Sequence, residues 1–224
     1  MESDMMQATT ISPTAPRERI PPLQEFLEVG IKLFPLTVEQ YHQMLEKSIL
    51  EEGAPIELLD GLLVRKDRSH AGEDPMTVGH NHAWVLGRIN RWILSLESLG
   101  AELRLQQPVT ISPFHEPEPD AAIVDPAVDY RQRHPQPADI FCLIEVSDGS
   151  LRHDRTTKKR IYADAGIPQF IIIDLEQMTI EEYRIDAAQT GRYAQPILHR
   201  KGDRFAIILG GGNRFDVAVD TLLP

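Results

Sequence analysis

Three side chains in this sequence combine types and spacing suited to hydrolysis of a phosphodiester: Asp120, Glu145 and Lys158. Glu145 lies inside an apolar run formed by Phe141, Cys142, Leu143, Ile144 and Val146. Such a run reads as a strand covered on both faces. A carboxylate there is costly unless it is paired, hydrogen-bonded or bound to metal. Two readings stay open for Glu145. It pairs with an arginine, or it is an oxygen ligand for a cation such as Mg2+, which takes a few carboxylates, water and substrate phosphate.

Asp120 follows Pro117-Glu118-Pro119 and precedes Ala121-Ala122-Ile123-Val124, so it stands where an apolar strand begins. It either makes a turn hydrogen bond or supplies a second metal-side acid. Lys158 takes its meaning from helix geometry. Ile161, Tyr162 and Ala165 follow at helical spacing and share its face, which is the apolar one expected on the sheet. Lys159 is turned about 100° away. Lys158 then either snorkels over apolar surface or sets an ammonium beside a metal-bound water and the charge that builds on phosphate. Asp154, one turn earlier, reads as a helix cap or as a partner of Lys158. Glu57, between Ile56 and Leu58, is a half-buried surface acid or a third metal-side carboxylate.

Other chemistries find little support. His80 and His82 are two apart on an expected helix and point in different directions, and His70, His134 and His153 are scattered. The sequence has no HExxH or CxxC pattern, no GxSxG elbow and no GxxxxGK[ST] loop. The single cysteine, Cys142, is in the apolar run, so it reads as a small core residue and no internal disulfide forms.

The elements that must position these residues follow from pattern. Residues 1–22 are rich in Thr, Ser, Pro and charge with no hydrophobic period, and read as a flexible tail ahead of a single domain over 23–224. Thr37 with Gln40 forms a capping box for a helix whose apolar face is Val38, Tyr41, Met44 and Leu45. Asp60-Gly61 between two apolar runs signals a hairpin. A long helix is expected over 77–98, with His82, Val85, Leu86, Ile89, Ile93 and Leu96 at helical spacing and Gly100 ending it. Strands are expected over 101–111, 120–124 and 139–147, then a helix over 152–165 with Gly166 as its cap and a strand over 169–174. The remaining strands are expected at 178–186, 192–200, 204–209 and 214–218. Gly202-Asp203 reads as a hairpin joining two of them, and Gly210-Gly211-Gly212 as a turn. The strands at 139–147 and 169–174, with a helix between them, read as a parallel crossover. The order defines an α/β (α+β) fold, a mixed sheet flanked by helices.

Composition sets outer bounds. The chain has 224 residues, 42% of them hydrophobic, enough for a real core. Its formal net charge of -11 is unusual for a nucleic-acid binder, which commonly clusters Lys and Arg. It is compatible with an acid-rich site that takes a divalent cation. No apolar run reaches the roughly 18 residues of a membrane span, and the N-terminus lacks a basic-then-apolar leader. A cytoplasmic protein with no membrane partner is expected.

Taken together, Pro119-Asp120, Ile144-Glu145-Val146-Ser147, Ser150, Asp154, Lys158, Tyr162, Ala165-Gly166-Ile167-Pro168 and Ile172-Ile173-Asp174 resemble the Uma-type family of bacterial proteins. That family is described as restriction endonucleases of the PD-(D/E)XK nuclease superfamily. The resemblance spans residues 34–200 and includes the Leu36-Thr37 helix and the Glu57-to-Gly61 hairpin. It implies a restriction-endonuclease-like core, acids that bind Mg2+ or Mn2+, DNA as the partner, and a lysine that helps activate water. Carried over by position, Asp120 matches the PD aspartate, Glu145 the strand acid and Glu57 the early acid. Lys158 stands in for a lysine that would ordinarily occupy the place of Ser147. Where the family often has Glu-Tyr-Trp after its turn, this chain has Gln169-Phe170-Ile171. The expected function is therefore metal-dependent endonucleolytic hydrolysis of DNA. Its rivals are a nuclease-fold module that binds without cutting, and an interaction module whose apolar sheet edge makes a homodimer.

Overall fold

The computed structural model describes residues 30–51, 53–66, 79–148 and 153–224. The tail expected over residues 1–22 lies outside them. The described residues pack as two compact units, one running up to Lys66 with Pro113–His115, the other holding the rest.

In the first unit, Thr37 starts helix α1 (Val38–Glu46) through the expected capping box. The Gln40 N–H donates to Thr37 Oγ1 at 3.2 Å and the Thr37 N–H donates to Gln40 Oε1 at 2.9 Å. Val38 and Tyr41 are buried with Leu50 and Leu58. Strands β1 (Ile56–Leu59) and β2 (Leu62–Arg65) pair antiparallel. Asp60 and Gly61 both have positive φ, 52° and 72°, as a tight hairpin turn requires. Position 61 also requires glycine for space, since a Cβ there would come within 2.4 Å of the Pro35 Cβ.

The second unit is built on a six-stranded mixed sheet in the order β3-β4-β5-β6-β7-β8. Its strands are β3 (Glu102–Leu105), β4 (Ala121–Val124), β5 (Ile140–Ser147), β6 (Gln169–Asp174), β7 (Thr179–Arg184) and β8 (Ile197–His199). The expected crossover is present: β5 and β6 are parallel, and every other neighbouring pair is antiparallel. Helix α2 (His80–Asn90) and helix α3 (Ile93–Ser98) bury Val85, Ile89 and Leu96 against one sheet face. That face presents Ala121, Ile123, Cys142, Ile144, Val146, Ile171 and Ile173. The same core takes in Phe205, Ile207 and Val217 from an antiparallel hairpin of β9 (Arg204–Ile208) and β10 (Arg214–Ala218), turned at Gly210–Gly212. Helix α4 (Lys159–Asp164) buries Ile161 and Tyr162, and the Tyr162 ring lies 5.1 Å from that of Phe170. Gly166, at φ +74°, closes α4, and the Ile167 N–H donates to the Tyr162 carbonyl at 3.0 Å.

Several expectations need correction. The helix expected over 77–98 is two helices. At Arg91 and Trp92 the ladder tightens, with N–H groups donating to Arg88 and Ile89 carbonyls three residues back. This break lets the Trp92 side chain pack edge-on against Phe215, ring centres 5.2 Å apart. The strand expected over 101–111 is only Glu102–Leu105, and that over 192–200 is only Ile197–His199, preceded by a lone Ile185–Tyr193 bridge. Gly202-Asp203 does not join a hairpin. It turns the chain from β8, paired to β7, to β9, paired to β10 in a separate sheet. Among the described residues, no helix is long and apolar enough to cross a membrane.

Candidate active site

Asp120 stands one residue ahead of β4. Ala121 pairs with Ile144, and one further step of that antiparallel register sets Asp120 opposite Glu145. The strand carrying Glu145 also holds Asp120 directly: the Val146 N–H donates to Asp120 Oδ2 at 2.8 Å. His82, in the first turn of α2, brings Nε2 to 3.0 Å from the same oxygen. A carboxylate only accepts, so Nε2 is the donor. Both donors fall on Oδ2, and among the described residues Oδ1 makes no hydrogen bond.

Burial works against ionisation of Asp120, but other groups outweigh it. The hydrogen bond and charge of His82, the Val146 N–H and the charge of Lys158 together hold the carboxyl below its ordinary value. The influence of Lys158 on Asp120 also ties the lysine to this side of the site.

Glu145 is buried near the end of β5, and its compensation comes from the crossover that follows. Lys158 Nζ donates to Glu145 Oε1 at 2.9 Å, and the Tyr162 hydroxyl donates to the same oxygen at 2.9 Å. The arginine partner considered from sequence is thus replaced by a lysine and a tyrosine one turn apart. A buried pair of this kind tolerates desolvation because geometry is good and a further hydrogen bond is present.

The turn bearing Lys158 is π-helical, Asp154–Lys158, and leads directly into α4. Turns of this type are frequent at functional sites. Arg155 anchors it to the sheet. Its Nε donates to both carboxylate oxygens of Glu181 on β7, at 2.9 and 3.1 Å, and its guanidinium reaches Asp174 on β6 at 3.5 Å. Lys159 takes the other direction, with Nζ 5.2 Å from the centre of the Tyr183 ring. Of the two readings of Asp154, helix cap or partner of Lys158, the cap does not hold, because His153 before it already has helical angles, φ −66° and ψ −46°.

The structure therefore brings Asp120, Glu145 and Lys158 together. Glu57 is in the first unit, buried on β1 in register with Val64. His82 is a residue that sequence reasoning set aside, although it shares helical phase with Val85, Leu86 and Ile89. Cys142 is buried and burial pushes its thiol well above the ordinary value, consistent with a core role.

The donor set suits a hard divalent cation. It offers carboxylate oxygens, one of them on Asp120 free of hydrogen bonds among the described residues, next to a charge-compensating ammonium. A mixed sheet with a parallel crossover that carries such a set defines a nuclease-like α+β fold. The same fold occurs in the crystal structure of a putative nuclease belonging to DUF820 from Anabaena variabilis ATCC 29413. The two chains are 16% identical, with a TM-score of 0.59 over 84% of this chain and 97% of that one. The chain belongs to the Uma2 family, described as "Putative restriction endonuclease", whose family model matches residues 38–217. No curated protein matches it.

Proposed function

We propose that this protein is a divalent-metal-dependent endonuclease that hydrolyses DNA phosphodiester bonds. The observation that carries the reading is the convergence of two acids and a lysine, Asp120 beside the Glu145 strand and Lys158 on Glu145. Membership of the Uma2 family supports the same reaction class.

Asp120 and Glu145 would hold Mg2+ or Mn2+, which when bound polarises a phosphoryl oxygen and makes water a stronger acid. Asp120 Oδ2 is held by His82 and the Val146 N–H, so the carboxylate is oriented with Oδ1 outward from those donors. Lys158 offsets the negative charge of Glu145 and is placed to stabilise charge that develops on an attacking oxygen or on phosphate. Tyr162 fixes the Glu145 oxygen that Lys158 uses. Arg155 keeps the π-helical turn, and with it Lys158, on the sheet. These roles rest on residues of the second unit.

The net charge of -11, which opposes DNA binding, favours a second reading, a nuclease-fold module that does not cut. Incubation with single- and double-stranded DNA plus Mg2+ or Mn2+ separates the two. Cleavage by wild type and its loss in Glu145→Ala support the enzyme.

A further inference from the structure

Many arginines of this chain are matched to acids: Arg104 to Glu102, Arg133 to Asp139, Arg155 to Glu181 and Arg184 to Glu182. Arg88, Arg91 and Arg204 are different. They converge on one pocket of about 340 Å³ between the C-terminal half of α2 and the β9–β10 hairpin, with Trp92, Asp216 and Thr221. Arg88 donates Nε to the Thr221 carbonyl at 2.9 Å and lies over the Trp84 ring at 5.5 Å, which fixes its plane. Among the described residues, the side chains of Arg91 and Arg204 have neither an ion pair nor a hydrogen bond. The acid in the pocket, Asp216, is matched at 3.2 Å by Arg214.

Three like charges around one pocket repel each other, and an anion seated among them relieves that repulsion. A guanidinium presents a planar fork of donors that fits the oxygens of a phosphate two at a time. Buried Trp92 and Val217 floor the pocket, so an anion there is partly shielded from water. A protein of net charge -11 repels anions at long range, so capture of one demands a local site of this kind.

We propose that the Arg88–Arg91–Arg204 pocket is a phosphate-binding site. It is separate from the acids. Arg91 follows His82 by nine residues, a rise of roughly 14 Å along the helix, and none of Asp120, Glu145 or Lys158 lines the pocket. The ligand is a phosphate group, either on a free small molecule or in a nucleic-acid backbone. Binding here is independent of hydrolysis.

The test measures binding in EDTA, so that cleavage plays no part. Inorganic phosphate and pyrophosphate are titrated by calorimetry, and a labelled single-stranded oligonucleotide by fluorescence anisotropy over a range of salt. Wild type is compared with the double variant Arg91→Gln with Arg204→Gln, both at exposed positions, and with Arg192→Gln as a surface control. Binding of phosphate or pyrophosphate that weakens at least tenfold in the double variant supports the site and a small-molecule source. Binding of the oligonucleotide alone, weakened at least tenfold with the salt slope reduced by about 1–2, supports a backbone source. Failure of every probe to bind wild type, or equal affinity in wild type and double variant, overturns the proposal.

Discussion

Lys158 Nζ and Glu145 Oε1 meet at 2.9 Å, with side-chain exposures of only 7% and 5%. The lysine is thus the compensation that a carboxylate inside an apolar strand requires. It also ties the crossover helix to the strand before it, so a single contact serves both the fold and the proposed chemistry.

Removing one partner of such a pair leaves a buried charge behind. Lys158→Met should destabilise the protein by about 3–5 kcal/mol, with the Tyr162 hydroxyl still donating to Glu145 Oε1. Adding Glu145→Gln should recover most of that loss, because the charge is gone and the shape is kept. Urea denaturation of the two single variants and the double variant measures the coupling. Losses that simply add would show that the pair contributes nothing.

Metal should stabilise the fold by mass action. Millimolar Mg2+ or Mn2+ should raise the melting temperature, by a free energy of about 2.7 kcal/mol at a hundred times Kd. The rise should vanish in Asp120→Asn with Glu145→Gln. An equal rise in that variant would place the binding elsewhere.

Asp120 makes stability depend on acid. Its folded carboxyl titrates below the ordinary value, chiefly because the His82 and Val146 interactions outweigh burial. The unfolded chain therefore takes up its proton first as pH falls. The stability Asp120 contributes is complete above the ordinary aspartate value of about 3.9 and is lost as pH drops through the lower folded value. The difference in unfolding free energy between wild type and Asp120→Asn should shrink as pH falls through this window. A difference constant with pH would contradict the assigned shift.

His82 should act through Asp120. Its Nε2 shares Oδ2 with the Val146 N–H, so His82→Ala removes one of the two donors that, among the described residues, orient the carboxylate. Loss of a supporting hydrogen bond typically weakens metal binding by roughly 10–100-fold. Calorimetric titration of Mn2+ into a variant with an unchanged circular dichroism spectrum measures this. Unaltered affinity would leave His82 with a packing role only.

Local signals made much of this fold legible in the sequence. The Thr37–Gln40 box, the Asp60-Gly61 turn, the Gly166 cap and the phase of Lys158 relative to Ile161 and Tyr162 each depend on a few neighbouring residues. Three of the misreadings depend on distant partners. The helix break at Trp92 is set by Phe215, the turn at Gly202 leads to a strand that pairs onward with β10, and His82 gains its meaning only when Asp120 arrives from another element. The anchoring of the Lys158 turn by Arg155 likewise needs Glu181 from β7. Glu145 is conspicuous because an acid in an apolar run violates a local rule, and helix geometry turns Lys158 toward the sheet, but the contact between the two appears only in the structure.

The most direct test is the rate of DNA cleavage in Mg2+ or Mn2+ by wild type, Lys158→Met and Lys159→Met. It is run at a temperature where circular dichroism shows all three folded. The two lysines are adjacent, yet one lies on Glu145 and the other on the Tyr183 ring. Wild type should cut, Lys159→Met should cut at a near-normal rate, and Lys158→Met should lose roughly a hundredfold or more, as for other electrostatic groups in a site. Cleavage by Lys158→Met at the wild-type rate, or no cleavage by wild type with either metal while DNA binding persists, would contradict the account.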